Sequence, residues 1–316
     1  MIPVHNLSIP CPACEKSTAI NLGNLATIRG LFALTDPGNL FNCQTCNFYF
    51  RYPYLKSTEL IESYKEVASG TWAKSRLARV DQPLVIKELC ATLPHGRVLD
   101  VGCGNGELLS LLPEYYQKFG IEPSGPNSAA AAQCGISIIG KTLDDCLNTK
   151  FLFDAIIMVD VLEHIESPVD FLKKAFALLH PGGILIASTG NADSWLWRLM
   201  RLDYWYYLPE HVSFFSRKWF LWFAQNHGKQ IIKMRFFPHF AGSICKILRQ
   251  VVDCVVYLIL KASKPLPMLN KMLRFIFPFS RAYLWTHPPV AHFISDHMLV
   301  VIKNHQKTNL QKALHG

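Results

Sequence analysis

From residue 97 onward, short apolar runs alternate with segments whose apolar positions recur every three or four residues. The runs predict buried strands, and the periodic segments predict amphipathic helices. The predicted strands are 97–102, 117–122, 136–139, 153–160, 183–189, 230–237 and 297–302, and the predicted helices are 106–112, 126–134, 167–179 and 216–227. This alternation favours an α/β fold in which helices cover both faces of a mostly parallel sheet.

About 55 residues separate the last two predicted strands, far more than a hairpin needs. Within this stretch, residues 244–262 confine their polar side chains to a narrow stripe, which is typical of an amphipathic helix. We therefore predict a basic amphipathic helical insertion over 241–293. Its apolar face would pack on the core or on a twin subunit, or would lie in the plane of an anionic membrane surface.

The net charge of +9 is unevenly distributed. Residues 198–316 carry 17 Lys and Arg against 4 Asp and Glu, whereas residues 1–197 have a net charge of −4. The basic part suits an anionic partner. The N-terminus lacks a basic start followed by an apolar core, and no apolar run reaches the roughly 18 residues of a membrane span. We expect a cytoplasmic protein, peripheral on the inner face of the membrane if the insertion binds lipid.

Four of the ten cysteines form two pairs with zinc-ribbon spacing, Cys11-x-x-Cys14 and Cys43-x-x-Cys46. Each pair offers two thiolates on one tight turn, and the two pairs complete a tetrahedron with no open position. Disulfides or a redox site are the alternatives, but cytosolic thiols stay reduced. We predict a structural zinc ribbon over 1–55, a helical linker or cap over 56–95, and a core over 96–240 and 294–306.

The most informative segment is 97–107, RVLDVGCGNGE, in which a predicted strand runs directly into Gly102, Gly104 and Gly106. Glycine lets a ligand lie against bare main chain. Glu122 comes 20 residues after Gly102, at the end of the next predicted strand, where an acid can accept hydrogen bonds from ribose hydroxyls. Asp100 adds a second carboxylate. The pair suits a nucleotide-like ligand with an amino group and a positive charge, and suits a pyrophosphate poorly.

At these residues the chain resembles the class I S-adenosylmethionine (SAM)-dependent methyltransferases, whose glycine motif has the GxGxG form of DVGCGNG. Further segments resemble that family in the same order: FDAIIMVD at 153–160, VLEHI at 161–165, LHPGGIL at 179–185 and PEHVSFFS at 209–216. The VLEHI motif is similar to that of quinone-biosynthesis enzymes. The whole layout, ribbon included, looks more like bacterial methyltransferases of cell-surface glycans or lipid-linked intermediates. The resemblance implies a Rossmann-like sheet of seven strands with an antiparallel last strand.

The resemblance also assigns roles in cofactor binding. It implies that Glu122 holds the ribose hydroxyls of SAM and that Asp144 meets the adenine amino group. Asp100 and the glycine turn would hold the methionine end, and Asp160 would line the methionine part. The expected cofactor-binding residues are Asp100, Gly102, Cys103, Gly104, Gly106, Glu122, Asp144 and Asp160.

A hydroxyl acceptor must lose a proton, and imidazole titrates near neutral pH. His164 follows the fourth strand of the core and His211 follows the fifth, so both are expected at the carboxyl edge of the sheet, where ligands bind. We predict that they accept the proton; the alternative is that each caps a turn or bonds a backbone carbonyl. The aromatic segment 195–207 would line the acceptor pocket or pack in the core.

Together these features predict a SAM-dependent methyltransferase with structural zinc, acting on a small-molecule, lipid-linked or glycan-linked acceptor. An RNA methyltransferase is an alternative, but the ribbon is not basic and the positive charge coincides with apolar residues. A non-catalytic SAM-binding protein is a second alternative. Oxygen, nitrogen and carbon acceptors and any oligomeric state remain compatible with the sequence.

Overall fold

The computed structural model describes residues 9–26, 36–54, 56–65, 79–147, 151–263, 272–273, 275–276, 288–291 and 293–304. Parts of the predicted ribbon, linker, insertion and core fall outside these described residues, namely 1–8, 27–35, 55, 66–78, 148–150, 264–271, 274, 277–287, 292 and 305–306. Among the described helices, none is both long and apolar enough to cross a membrane.

A seven-stranded sheet forms the core. Its strands, in spatial order, are β10 (Gln230–Phe237), β11 (His297–Lys303), β8 (Leu179–Gly190), β7 (Phe153–Val159), β4 (Gly96–Val101), β5 (Tyr116–Ile121) and β6 (Ser137–Gly140). Strands β8, β7, β4, β5 and β6 pair in parallel, and β11 lies antiparallel between β8 and β10. The predicted α/β fold, its seven strands and its antiparallel last strand are confirmed.

The central strands are buried on both faces, as in other sheets with helices on each side. In β7, Ile156 and Met158 join the hydrophobic cluster on one face, and Ala155 and Ile157 join the cluster on the other. The helices of the core are α2 (Asp81–Thr92), α3 (Glu107–Ser110), α4 (Gly125–Gln133), α5 (Pro168–Ala177), α6 (Trp195–Met200) and α7 (Arg217–Asn226). All four helices predicted in the core are present, with α3 shorter than expected.

A second, four-stranded sheet contains the N-terminal cysteine turns. It comprises β1 (Ala19–Asn24), β2 (Asn39–Cys43), β3 (Tyr49–Tyr52) and β9 (Ser213–Phe214), all antiparallel. Strand β9 comes from the core, so the ribbon sheet is completed by a strand that follows the fifth parallel strand. Helix α1 (Ser57–Tyr64) comes after β3.

The predicted amphipathic segment forms α8 (Ile244–Ser263), a helix of 20 residues. Its inner side buries Cys254 and Val256, and Cys254 belongs to the same hydrophobic cluster as Trp197 and Met200 of α6. Lys261 donates a hydrogen bond to Asp203 at 2.7 Å, which ties the end of α8 to the turn after α6.

Candidate functional site

A cavity of about 470 Å³ opens at the carboxyl edge of the large sheet. This volume falls within the range of small-ligand sites. Most of the residues expected from the sequence meet there, namely Asp100, Gly102, Cys103, Gly104, Glu122, Asp160, His164 and His211. They converge because parallel strands β4, β5 and β7 all end at this edge.

The glycine turn and Glu122 form one hydrogen-bonded unit. Gly104 has a φ of 55°, a left-handed conformation that favours glycine, and its N–H donates to Glu122 Oε2 at 2.8 Å. The N–H of Ser124 donates to the other oxygen, Oε1, at 2.8 Å. Burial nevertheless raises the pKa of Glu122. The carboxylate is therefore held at the ends of β4 and β5, against bare backbone.

Asp100 is the second carboxyl group of this region and is only 3% exposed. Burial, together with the nearby Glu122 charge, raises its pKa to about 8. A site in which two buried carboxyl groups repel each other favours a ligand with positive charge, because the ligand relieves that repulsion.

Two expected residues lie elsewhere. Gly106, with a φ of 83°, is the N-cap residue directly before α3 and is not among the cavity-lining residues. A Cβ there would come within 2.3 Å of Ile136 Cδ1, so this glycine serves close packing. Asp144 does not line the cavity either; it forms an ion pair with Lys174 at 2.6 Å, and its side chain is 63% exposed. Its expected contact with an adenine group is not supported by this position.

The two expected histidines lie side by side, with ring centroids 4.9 Å apart. His164 Nδ1 is 3.0 Å from the carbonyl oxygen of Glu210, and His211 Nδ1 is 2.8 Å from that of Tyr206. A carbonyl can only accept, so each Nδ1 carries the hydrogen and each Nε2 keeps a lone pair. Burial lowers the pKa of both rings, which keeps them neutral.

Glu163 lies between the histidine pair and the sheet, and it is 1% exposed. Its carboxyl group accepts hydrogen bonds from Thr189 Oγ1 at 2.8 Å and from the Tyr206 hydroxyl. Burial raises its pKa to about 7. The ligand atoms of Glu163, His164 and His211 all lie within 4.8 Å of one another, which is compact enough for a cation as well as for proton exchange.

On the other wall of the cavity, Asp160 is joined by charged and imidazole side chains that no sequence motif marks. Arg79 Nη2 donates to Asp160 Oδ2 at 2.5 Å and holds the pKa of that carboxyl well below its usual range. His239 Nδ1 is 2.9 Å from His297 Nε2, and His297 Nδ1 is 3.1 Å from Asp296 Oδ1. The ligand atoms of Asp160, His239 and His297 also lie within 4.8 Å of one another. The position of His297 could have been predicted from the direction of its strand. His297 is the first residue of β11, and an antiparallel strand begins at the edge where its parallel neighbours end.

Aromatic side chains of 195–207 divide between the two expected roles. Trp205 and Tyr206 line the cavity. Trp197 stacks on Tyr204 at 4.6 Å, and its indole donates to the Tyr207 hydroxyl at 2.7 Å. These last three rings are buried core packing.

The four N-terminal cysteines meet in one cluster. Cys11 and Cys46 have Sγ atoms 3.7 Å apart, and Cys14 and Cys43 have Sγ atoms 3.5 Å apart. All four sulfur atoms lie within 4.8 Å of one another, and none forms a disulfide. A zinc–thiolate tetrahedron with bonds of about 2.3 Å has sulfur–sulfur edges of about 3.8 Å. The cluster therefore fits a tetrahedral metal.

Comparison with known proteins identifies a domain that contains most of the cavity-lining residues. A family model described as a methyltransferase domain matches residues 74–233, about half of the chain. An enzyme called ubiquinone biosynthesis O-methyltransferase from Nitrobacter winogradskyi is 36% identical over 104 residues, which cover 31% of this chain and 40% of that protein. The protein of the same name from Cereibacter sphaeroides is 32% identical over 120 residues, covering 34% and 47%. The chain thus spans less than half the length of these curated relatives.

A solved structure is similar at lower identity. The N-methyltransferase NodS from Bradyrhizobium japonicum WM9, in complex with S-adenosyl-l-homocysteine, aligns with a TM-score of 0.46 at 13% identity. The alignment covers 80% of this chain and 100% of that one.

Proposed function

The chain belongs to this methyltransferase domain family, and from that membership we propose that it transfers the methyl group of SAM to a hydroxyl group of a small-molecule, lipid-linked or glycan-linked acceptor. The single observation that carries the proposal is the cavity in which Asp100 and Glu122 face the same space as His164 and His211. One side can hold a cationic nucleoside, and the other can accept a proton.

On the cofactor side, Glu122 would accept hydrogen bonds from the ribose hydroxyls, and Asp100 would meet the positive charge of the methionine end. Gly102 and Gly104 would present bare backbone to that end, with Cys103 between them and Asp160 at the neighbouring strand. The positive charge of SAM matches the two buried carboxyl groups, whose pKa values are raised by burial.

On the acceptor side, the sulfonium already activates the methyl group, so the protein must align the nucleophile and take up its proton. The acceptor oxygen forms a bond to the methyl carbon as the sulfur–carbon bond breaks, and the hydroxyl proton passes to a histidine. His164 and His211 suit this role because each Nδ1 is tied to a carbonyl while each Nε2 can accept.

The direct test is methyl transfer from radiolabelled SAM to separated fractions of host lipids, glycans, small molecules and RNA. We expect label in the lipid, glycan or small-molecule fraction, as a methyl ether stable to mild base. Label in RNA alone would favour the RNA methyltransferase. Tight binding of SAM with no label in any fraction would favour the non-catalytic alternative.

We predict that Glu122→Ala weakens the binding of S-adenosylhomocysteine roughly 10- to 100-fold, because hydrogen bonds to a charged group are lost. Isothermal titration calorimetry measures the change. Glu122→Gln, which keeps the volume but not the charge, should fall between the variant and the wild type. Glu114→Ala removes an exposed carboxylate before β5 and is the matched control. Equal affinity in all of these proteins would contradict the assignment.

A structural zinc bound by Cys11, Cys14, Cys43 and Cys46 is part of the same proposal. The sulfur–sulfur distances support it, and four protein thiolates leave no position open for substrate. The metal would stabilise the ribbon and take no part in the chemistry.

We also propose that α8 rests in the plane of an anionic membrane surface, where a lipid-linked acceptor would be presented. Ile244, Leu248, Val255 and Ile259 share one side of the helix and are 75%, 60%, 37% and 37% exposed. Exposed apolar side chains in such a stripe can enter the headgroup boundary, and the basic C-terminal part of the chain would meet anionic lipid.

We predict that the double variant Ile244→Ser/Leu248→Ser loses vesicle binding roughly 100-fold, at about 1.5 kcal/mol for each apolar side chain. Flotation with vesicles containing anionic phosphatidylglycerol measures it. Leu221→Ser on α7 removes an equally large side chain that is 47% exposed and is the matched control. No flotation of the wild type, with a concentration-dependent dimer that the double variant abolishes, would favour a twin subunit instead.

A further inference from the structure

The ribbon is joined to the active-site loop by backbone pairing. Strand β3 pairs with β9 through Tyr49 with Phe214 and Phe50 with Ser213. The next residue, Arg51, continues the contact, because its N–H donates to the carbonyl of Val212 at 2.9 Å. Strand β3 of the ribbon therefore lies directly against residues 212–214, which follow His211 in the chain.

The guanidinium of Arg51 is the centre of this contact. The residue is 1% exposed, and its side chain donates to four backbone carbonyls. Nε donates to His211 at 3.1 Å, Nη1 to Pro37 at 2.8 Å, and Nη2 to Tyr207 at 2.8 Å and to Leu208 at 2.9 Å. Three of these carbonyls belong to the 207–211 turn, so one planar group fixes their relative positions.

A buried cation is a costly way to fill a core position, and burial lowers the pKa of Arg51 to about 10 although the Glu210 charge opposes this. An apolar side chain could fill the space, but it could not bind carbonyls that already point into it. The rigid guanidinium of Arg51 binds three carbonyls of the 207–211 turn, which indicates that the backbone geometry of this turn must be fixed.

The turn that Arg51 holds sets the position of both candidate proton acceptors. His211 belongs to the turn, and its N–H donates to the carbonyl of Leu208 at 3.0 Å. The carbonyl of Glu210, within the same turn, bonds His164 Nδ1 at 3.0 Å. Val212, immediately after it, donates its N–H to the carbonyl of Glu163 at 2.8 Å.

We propose that Arg51 is a positioning residue for the His164–His211 pair, and that the ribbon is therefore a structural part of the active site. This rests on the proposed function only for the role given to the histidines. The geometric claim can be tested without turnover. A ribbon that served only to bind a separate partner would have no reason to place a buried arginine behind the cavity.

The test is the ring signal of His211 in protein with ¹⁵N-labelled histidine, assigned by its loss in His211→Asn. In Arg51→Lys, a single ammonium cannot reach all four carbonyls. We expect the His211 Nδ1–H signal to shift and its hydrogen exchange to accelerate at least about tenfold, the factor for losing one hydrogen bond. Affinity for S-adenosylhomocysteine, measured by calorimetry, should stay within about twofold. The hydrogen bonds of Arg51 go to the carbonyls of Pro37, Tyr207, Leu208 and His211, and none of these is an expected cofactor-binding residue.

Phe50→Leu is the matched control, because Phe50 is the buried neighbour of Arg51 on β3 but packs in the hydrophobic cluster that the ribbon shares with one face of the large sheet. It should lower the melting temperature while leaving the His211 signal in place. An unchanged His211 signal in Arg51→Lys, or an equal change in Phe50→Leu, would overturn the proposal. In wild-type protein with ¹⁵N-labelled arginine, a freely exchanging Arg51 Nε–H would overturn it as well, even if Arg51→Lys does not fold. If the wild-type protein does not bind S-adenosylhomocysteine, that result would instead contradict the proposed function.

Discussion

Replacing Cys46 with serine is expected to abolish zinc binding and to unfold the N-terminal ribbon. Four thiolates at tetrahedral spacing supply folding free energy on the order of 10 kcal/mol, and a segment of this size cannot replace it with its own core. Elemental analysis should find about one zinc per wild-type chain and less than about a tenth of that in Cys46→Ser, because a three-thiolate site with a weak fourth ligand loses most of its affinity.

Unfolding of the ribbon should also destabilise the core. Phe48 of the ribbon packs on Phe215 and on Trp219 of α7, with ring centroids 5.5 Å and 5.7 Å apart. We therefore expect a lower melting temperature of the whole protein. Cys134→Ser is the control, since that cysteine is exposed at the end of α4. Full zinc content and an unchanged melting temperature in Cys46→Ser would contradict the ribbon assignment.

Cys46→Ser should affect the histidine side of the cavity and leave cofactor binding intact. Glu122 is held by hydrogen bonds from the N–H groups of Gly104 and Ser124, both of which lie outside the ribbon, so binding of S-adenosylhomocysteine should persist. The 207–211 turn depends on Arg51, so the histidine signals should move. A ribbon that folds independently of the site would leave both properties unchanged.

The sequence predicts the parts of this protein that depend on local pattern. Apolar runs with turn residues between them identify all seven strands of the large sheet. The approach of Gly104 to Glu122 follows from the same pattern, because two consecutive parallel strands end at one edge. These inferences need only the order of elements along the chain.

The remaining contacts depend on residues far apart in sequence that no local pattern links. Arg51 reaches His211 across 160 residues through the pairing of β3 with β9, and two residues of β9 are too few to give a strand signal. Arg79 reaches Asp160 across 81 residues. The role of Asp144 stays a prediction, since its side chain pairs with Lys174 at the surface and is not among the cavity-lining residues.

His211→Asn combined with His164→Asn is expected to lower the rate of methyl transfer roughly 10²- to 10⁴-fold, the usual contribution of a positioned general base. Asparagine can keep an N–H donor near the place of Nδ1, so the bonds to Tyr206 and Glu210 carbonyls can persist while the accepting Nε2 is lost. The rate is measured with the fraction that accepts label from SAM. Affinity for S-adenosylhomocysteine should change less than about twofold, because neither ring belongs to the cofactor side.

The pH dependence gives a second readout with a definite sign. The neutral imidazole is the active form, and burial lowers the pKa of both rings. The wild-type rate should therefore stay constant down to about pH 6.5, the ordinary pKa of histidine, and decline only at lower pH. Glu163, whose pKa is raised to about 7, faces the pair and titrates in the region above that decline. In the double variant the acidic decline due to imidazole should disappear. His227→Asn, at the end of α7, is the control, and a double variant with full activity and an unaltered profile would show that the acceptor loses its proton to another group.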